Sequence, residues 1–185
     1  MHERDAARMN VTIWLVRHGR TSFGEAGLLC GWSDPPLDDA GRTQAEDLAK
    51  SLGGRRFDSV WSSDLARARE TARIVAGTEP HLDQRLRELD LGHLDGKRFE
   101  DCSPVVQAGL IAFDGFHAPG GESVTSLDHR VRAFLAELPG GDHLIVTHGG
   151  VMRLLLRSWG SDRPVGPCEV VELPLPSESR SRHNR

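Results

Sequence analysis

Residues 11–19 read VTIWLVRHG and residues 143–150 read HLIVTHGG, and these two stretches decide the fold. Each contains a short apolar run that predicts a buried β-strand, VTIWLV in the first and HLIVT in the second. A histidine and a glycine follow each run, and a glycine lets the backbone come close to a ligand. Because the carboxyl ends of parallel strands meet at one edge of a sheet, we expect His18 and His148 to face one site.

Outward from these strands, short apolar runs alternate with segments of helical period. A first helix is predicted from Asp38–Asp39, with Ala45, Leu48, Ala49 and Leu52 on its apolar face. A strand is predicted at residues 57–61, and a helix follows the capping signal Ser62-Ser63-Asp64, with Ala68, Ala72 and Val75 on its apolar face. Two further helices are predicted at residues 123–138 and 151–159. This alternation predicts the α/β class, with a mostly parallel sheet and helices on both of its faces.

The length and composition indicate one globular domain. The chain has 185 residues, of which 38% are hydrophobic and 27% are charged, and it can bury roughly 70% of its unfolded surface. We expect residues 1–10 to be a mobile leader, residues 11–173 to be the single domain, and residues 174–185 to be a disordered tail rich in Pro, Ser and Arg.

Charge and cysteine content exclude several classes of protein. The net charge of −4 argues against a nucleic-acid binder with an overall basic surface. No apolar run approaches the roughly 20 residues of a membrane span, and the polar start lacks the apolar segment of a secretory signal. Cys30, Cys102 and Cys168 form no disulfide framework, so we expect a cytoplasmic protein.

Charged residues also stand at the predicted sheet edge. Arg67 lies in the first turn of the helix after the second strand, and together with Arg17 it would make an anion site. The alternative is that such arginines are solvated surface charges, which we prefer for Arg69. Glu88 lies among arginines in LRELDLG; it is either a solvated carboxylate or, if burial raises its pKa, a general acid and base.

Several other chemistries lack their motifs. The sequence contains no cysteine-phosphatase loop, P-loop, Rossmann fingerprint, α/β-hydrolase elbow or zincin motif. The nine histidines show no metal-ligand spacing. We therefore expect neither a metal nor a cofactor.

Five ordered motifs give the chain a family resemblance. They are LVRHGRT at 15–21, SSDLARARETA at 62–72, LRELDLGHLDG at 86–96, PGGES at 119–123 and IVTHGGVMR at 145–153. In this order and spacing they resemble the histidine phosphatase superfamily of cofactor-dependent phosphoglycerate mutases and related phosphatases. The resemblance implies a three-layer α/β/α sandwich.

The resemblance also implies a role for each matching residue. His18 would be the nucleophile that becomes a phosphohistidine, and Glu88 would donate and accept the proton. Arg17, Arg67 and His148 would complete the catalytic pocket. The residues expected to contact the phosphate are Arg17, Thr21, Cys30, Gly31, Arg67 and Gly149.

Departures from the family pattern favour hydrolysis over mutase activity. Phe99 stands where the mutases have a lysine, Gly150 replaces their asparagine, and the insert after Gly96 is short. Arg20 and Gly24 also depart from the usual acidic residue and asparagine. We interpret the chain as a metal-independent phosphomonoesterase. A cofactor-dependent phosphoglycerate mutase and a non-catalytic phospho-ligand binding module are the alternatives.

The resemblance is greatest to the α-ribazole phosphatase and broad-specificity phosphatase branch. An apolar lid of Leu94, Phe99, Phe113 and Phe116 would favour apolar phosphomonoesters; the alternative, that these are core residues, is preferred for Phe113. We expect a small phosphorylated metabolite as partner, no nucleic acid and no membrane. Whether the chain forms a homodimer is left open by the sequence.

Overall fold

A computed structural model describes residues 11–175, so the predicted leader and most of the predicted tail lie outside the described residues. Its five strands form one sheet in the order β3-β2-β4-β1-β5. Their bounds are Val11–Arg17 (β1), Ser59–Ser62 (β2), His81–Leu82 (β3), Gly141–Thr147 (β4) and Val170–Leu175 (β5). Neighbouring strands are parallel except for β5, which runs antiparallel to β1.

Within residues 11–175, six α-helices accompany the sheet. Their bounds are Ser22–Glu25 (α1), Asp39–Ser51 (α2), Ala66–Ala76 (α3), Pro104–Ala112 (α4), Val124–Ala136 (α5) and Gly149–Ser158 (α6). The predicted α/β class is confirmed, with a central, mostly parallel sheet.

Alternate residues of β1 face two separate apolar clusters. Ile13 and Leu15 belong to the cluster that includes buried residues of α5 and α6. Val16 belongs to the other cluster, with buried residues of α2 and α3. Since successive strand residues point to opposite faces, the helices cover both sides of the sheet and make the expected three layers.

The pairing of β1 with β4 brings the two predicted histidines together. Arg17 lies opposite Thr147 in the parallel register, and the His18 N–H donates to the Thr147 carbonyl oxygen at 2.9 Å. His18 and His148 therefore follow paired strand residues at the same edge of the sheet, as the sequence predicts.

The helix starts agree only in part with the sequence prediction, which named one cap, at Ser62-Ser63-Asp64. Asp38 caps α2 by accepting from the Gly41 N–H, and Ser123 caps α5 by accepting from the Ser126 N–H. The cap predicted for α3 is wrong in its position. The N-cap is Leu65, which has no side-chain cap, and the Ser63 hydroxyl instead accepts from the Leu65 N–H in the turn before the helix.

The C-terminal boundary differs from the prediction. Pro174 and Leu175, assigned to the tail, are the last residues of β5 and lie opposite Thr12 and Val11. Proline lacks a donor but is tolerated in an edge strand such as β5. Among residues 11–175, no helix is long and apolar enough to cross a bilayer.

Candidate active site

A cleft of about 810 Å³ opens at the carboxyl edge of the sheet. The ends of β1 and β4 supply one side of it, and the end of α4 with the loop after α6 supplies the other. It is lined by residues that include Arg17, His18, Gly19, Arg20, Thr21, Cys30, Glu88, Phe99, Leu110, Ile111, Phe113, Gly149, Gly150, Arg153, Asp162 and Arg163.

His18 presents one ring nitrogen to the cleft as a neutral nucleophile. Its Nδ1 lies 2.8 Å from the Gly19 carbonyl oxygen, so Nδ1 carries the proton and donates it. Nε2 is then unprotonated, and its lone pair accepts a hydrogen bond from the Arg67 Nε–H at 3.3 Å. This tautomer directs the reactive lone pair away from the backbone.

Burial at the floor of the cleft, with the positive charges of Arg67 and Arg17 nearby, lowers the pKa of His18 to about 3. Desolvation and neighbouring cations both disfavour imidazolium. The ring therefore stays unprotonated, and nucleophilic, throughout the neutral and mildly acidic range.

The loop that holds His18 is packed directly on α2. A Cβ added at Gly19 would lie 2.5 Å from the Gly41 carbonyl oxygen, and one added at Gly41 would overlap the Arg20 carbonyl oxygen. The Gly19 N–H also donates to the Thr71 hydroxyl of α3 at 3.0 Å. Only glycine allows so close an approach of backbone to backbone.

Arg67 is fully buried beneath the cleft. Its guanidinium donates to the Ser33 carbonyl from Nη1 at 2.7 Å and to the Gly31 carbonyl from Nη2 at 2.8 Å. With both terminal nitrogens engaged, only Nε faces His18. The guanidinium is thus fixed in orientation, with its charge beside the nucleophile.

His148 and Arg17 bring further hydrogen-bonding atoms around His18. The His148 ring lies 5.1 Å from the His18 ring, centroid to centroid, and is fully buried. Neither of its ring nitrogens has a hydrogen-bond partner within residues 11–175, and the same holds for the buried Nε of Arg17. Buried polar atoms are rarely left unpaired. The neutral His148 ring carries one N–H, so this donor and the Arg17 Nε–H mark places for the oxygen atoms of a ligand.

Glu88 is held between the segment that carries it and the start of α6. The Gly150 N–H donates to Oε2 at 3.0 Å and the Leu89 N–H donates to Oε1 at 2.9 Å. A Cβ added at Gly150 would overlap Oε1. The carboxylate therefore occupies the space that a side chain at position 150 would fill.

The sequence matches a known protein family over most of its length. The model for the histidine phosphatase superfamily (branch 1) matches residues 13–176. The chain belongs to the histidine phosphatase superfamily. The predicted resemblance to this superfamily is confirmed.

Relatives of this superfamily member carry two kinds of name. A probable phosphoglycerate mutase GpmB from Yersinia pestis (strain Pestoides F) is 36% identical over 155 residues, which are 78% of this chain and 72% of that protein. A solved phosphoglycerate mutase from Thermus thermophilus superposes with a TM-score of 0.82 at 42% identity, over 88% of this chain and 92% of the other. A mycobacterial hydrolase superposes with a TM-score of 0.78 at 29% identity, over 88% of this chain and 91% of the other.

Of the other residues expected to contact the phosphate, some line the cleft and one does not. Thr21, Cys30 and Gly149 line the cleft. The Thr21 hydroxyl caps α1, and burial raises the pKa of the Cys30 thiol to about 11, so Cys30 is neutral. Gly31 lies outside the lining; its N–H donates to Asp95 and its carbonyl accepts from Arg67. Gly31 therefore acts by supporting Arg67.

The four expected lid residues separate into two groups. Leu94 and Phe116 are buried in the core and do not line the cleft. Phe99 and Phe113 do line it; Phe99 is exposed, whereas Phe113 is also a core residue. Only Phe99 and Phe113 can touch a ligand.

Arg130 is a supporting residue that the sequence reading missed. Its guanidinium donates to the Glu88 carbonyl at 2.7 Å, to the Arg85 and Arg87 carbonyls, and to Glu122. It thereby fixes the backbone on either side of the Glu88 side chain. One signal was present in the sequence: Arg130 stands within the apolar stripe of α5 formed by Leu127, Val131 and Phe134.

No three His, Cys, Asp or Glu side chains within residues 11–175 come together as a metal site would require. Arg17 lines the cleft, whereas Arg67 and His148 are buried outside its lining, and Arg67 reaches His18 only through its Nε.

Proposed function

We propose that this histidine phosphatase is a metal-independent phosphomonoesterase that hydrolyses a small phosphorylated metabolite through phospho-His18. One observation carries the proposal: a neutral imidazole is surrounded by unpartnered hydrogen-bonding atoms of His148 and Arg17 and by the fixed charge of Arg67. A phosphoryl group on the His18 Nε2 would supply the missing oxygen partners.

The first step forms the phosphoenzyme. The Nε2 lone pair of His18 attacks phosphorus, the bond from phosphorus to the ester oxygen breaks, and Glu88 in its acid form gives its proton to the departing oxygen. Negative charge spreads over the three remaining phosphoryl oxygens, where preorganised donors stabilise it best. Arg17, Arg67 and His148 are those donors.

The second step returns the enzyme to its starting state. A water molecule attacks the phosphorus, Glu88 as carboxylate takes one proton from it, and the bond between phosphorus and Nε2 breaks. Inorganic phosphate leaves, and Glu88 is again in its acid form. The cycle consumes one water and one phosphomonoester and yields one alcohol and one phosphate.

The charges of the cleft support hydrolysis over mutase activity. A phosphoglycerate carries a carboxylate besides its phosphate, and a bisphosphorylated intermediate carries a second phosphate, so a mutase needs further free cations. Apart from Arg17, each arginine that lines the cleft already has a carboxylate partner: Arg20 with Asp38 and Glu25, Arg153 with Asp162, and Arg163 with Glu169.

Phosphoglycerate mutase activity is the second candidate. The names of the Yersinia and Thermus relatives favour it. It uses the same nucleophile and differs in the fate of the phosphoryl group, which a mutase passes to a phosphoglycerate rather than to water.

Phosphoenzyme trapping combined with turnover tests the proposal. Incubation with ³²P-labelled p-nitrophenyl phosphate should give a label that is stable in base and labile in acid, and His18→Ala should lose both label and turnover by at least about 10³-fold. His129→Ala, which alters an exposed histidine of α5, is the matched control and should retain both. EDTA should leave turnover unchanged.

Three results would contradict the proposal. Turnover retained by His18→Ala would remove the phosphohistidine. Interconversion of 2- and 3-phosphoglycerate that requires bisphosphoglycerate and exceeds phosphate release would establish the mutase. Phosphate binding with neither label nor turnover would indicate a non-catalytic binding module.

A further inference from the structure

Helix α4 forms a wall of the cleft without contributing any charge. Its sequence, PVVQAGLIA, contains no acidic or basic residue. Leu110, Ile111 and Phe113, at its C-terminal end, line the cleft. Ile111 is 64% exposed, which is unusual for isoleucine. This end of α4 therefore offers a ligand an apolar surface.

Two arginines of α6 hold that end of α4 in place. Arg153 donates to the carbonyls of Leu110 at 3.2 Å and Ile111 at 2.7 Å. Arg157 donates to the carbonyls of Ala112 at 2.6 Å and Phe113 at 2.7 Å. The last carbonyls of a helix lack partners within the helix and carry its negative dipole end, so cations suit them.

Asp162 joins the two arginines. Its Oδ1 accepts from the Arg153 Nε at 2.7 Å, and its Oδ2 accepts from the Arg157 Nη2 at 2.6 Å. These two hydrogen bonds hold the pKa of Asp162 well below its usual range. One carboxylate therefore orients both guanidinium groups toward α4 and neutralises charge that would otherwise face the cleft.

Helix α6 connects this cluster with the phosphate pocket. Gly150, whose N–H holds Glu88, lies one turn before Arg153 and two turns before Arg157 on the same side of the helix. Arg153 also lies over the Phe113 ring, 5.3 Å from its centroid. The apolar wall is thus set in position by the helix that carries part of the catalytic site.

We propose that Asp162, Arg153 and Arg157 form a clamp that makes the end of α4 a subsite for an uncharged apolar or aromatic leaving group. The clamp positions the apolar wall and touches no phosphoryl oxygen. The ligand of this subsite would be a phosphate ester of an apolar alcohol, and this identity rests on the proposed phosphomonoesterase activity. Asp162 is a positioning residue and, through the wall, determines specificity.

Binding measurements test the clamp without depending on turnover. Isothermal titration calorimetry in a His18→Ala background compares 1-naphthyl phosphate with inorganic phosphate. Adding Asp162→Asn should raise the Kd for 1-naphthyl phosphate about fivefold and leave that for phosphate within about twofold. Asp162→Glu should recover most of the affinity.

The chain offers a matched control and an independent second variant. Asp128→Asn removes the carboxylate of the Asp128–Arg132 pair on α5, which also joins an arginine Nε at 2.7 Å, and should change neither Kd. Arg157→Lys keeps the charge but cannot span two carbonyls, and should weaken 1-naphthyl phosphate alone. This variant keeps the test open if Asp162→Asn folds poorly.

The outcomes separate this inference from the proposed function. Loss of 1-naphthyl phosphate affinity alone supports the clamp. Equal weakening of both ligands, no change in either, or the same change in Asp128→Asn overturns it. A wild-type protein without phosphatase activity would refute the proposed function, yet the two binding constants would still decide the role of the clamp.

Discussion

The phosphate pocket and the α4 wall belong to one cleft but are built in opposite ways. The pocket consists of Arg17 and His18 at the end of β1, His148 after β4 and Arg67 in the first turn of α3, and its Arg67 and His148 are fully buried. The wall is a peripheral helix with an exposed Ile111, held by the long side chains of Arg153 and Arg157. One region depends on the core of the sheet, and the other depends on a few hydrogen bonds between side chains and backbone.

This difference indicates a division of labour. The pocket must place donors within a fraction of an ångström around a reacting phosphorus, and only rigid, buried elements achieve that. The wall must only accommodate the remainder of a substrate, so partial exposure and modest interactions suffice. Changes in the pocket should therefore affect every substrate, whereas changes in the wall should affect only substrates that reach it.

Arg67→Lys should have the largest effect. Lysine has one nitrogen and cannot contact Ser33, Gly31 and His18 together as the guanidinium does. We expect kcat/KM to fall about 10³-fold for p-nitrophenyl phosphate and 1-naphthyl phosphate alike. Steady-state kinetics with both esters measures this, with the exposed Arg69→Lys as control. A loss confined to 1-naphthyl phosphate would contradict the division.

Gly150→Ala should have an intermediate effect, because this residue lies where the two regions meet. The new Cβ would overlap Glu88 Oε1 and would lie 3.2 Å from Phe113 Cζ. Displacing Glu88 should lower kcat about 10²-fold for alkyl phosphates, whose leaving groups need a proton, and much less for p-nitrophenyl phosphate.

Gly166→Ala is the control for that substitution, since its Cβ would make only an ordinary contact, 3.6 Å from Glu169 Oε2. An equal fall in kcat for alkyl and p-nitrophenyl phosphates in Gly150→Ala would argue against Glu88 as the proton donor.

The smallest effect concerns the pH dependence of stability. The pKa values of His18 and His148 both lie below the ordinary 6.5. Below about pH 6.5 these two histidines are therefore protonated in the unfolded chain but not in the folded pocket. The free energy of unfolding should therefore fall as the pH drops from about 7 to 5. Asp162, with a pKa below the ordinary 3.8, stabilises the wall above that value and loses this contribution only as the pH falls further.

Urea unfolding at about pH 7.5 and about pH 5 distinguishes the two regions. Replacing His18 with Gln should reduce the difference between the two pH values, whereas Asp162→Asn should leave it unchanged. An unchanged difference in the His18 variant would show that the imidazole is free to protonate in the folded protein.

The sequence predicted the pocket better than the wall, and the reason is physical. His18 and His148 adjoin apolar runs whose strand character is local, and parallel pairing then brings them to one edge. The same rule predicts Arg67, because it lies just after β2, a further parallel strand of the sheet. The family motifs supplied Glu88, which no local pattern separates from a surface carboxylate.

The wall and the supports depend on contacts that are distant in sequence. Arg130 reaches Glu88 across 42 positions, and Arg153 reaches Ile111 across 42. No local periodicity encodes such contacts. Strand β5 was missed because Pro174 suggests a tail, and only its pairing with β1 makes it part of the sheet.

The contact between Gly19 and Gly41 has a consequence for how the enzyme can change over generations. Backbone touches backbone there, so neither glycine can acquire a side chain while the other keeps its place. The separation between the nucleophile loop and α2 consequently does not depend on the size of any side chain. Apolar residues in the layers around this contact can therefore be substituted without changing how closely the nucleophile loop approaches α2.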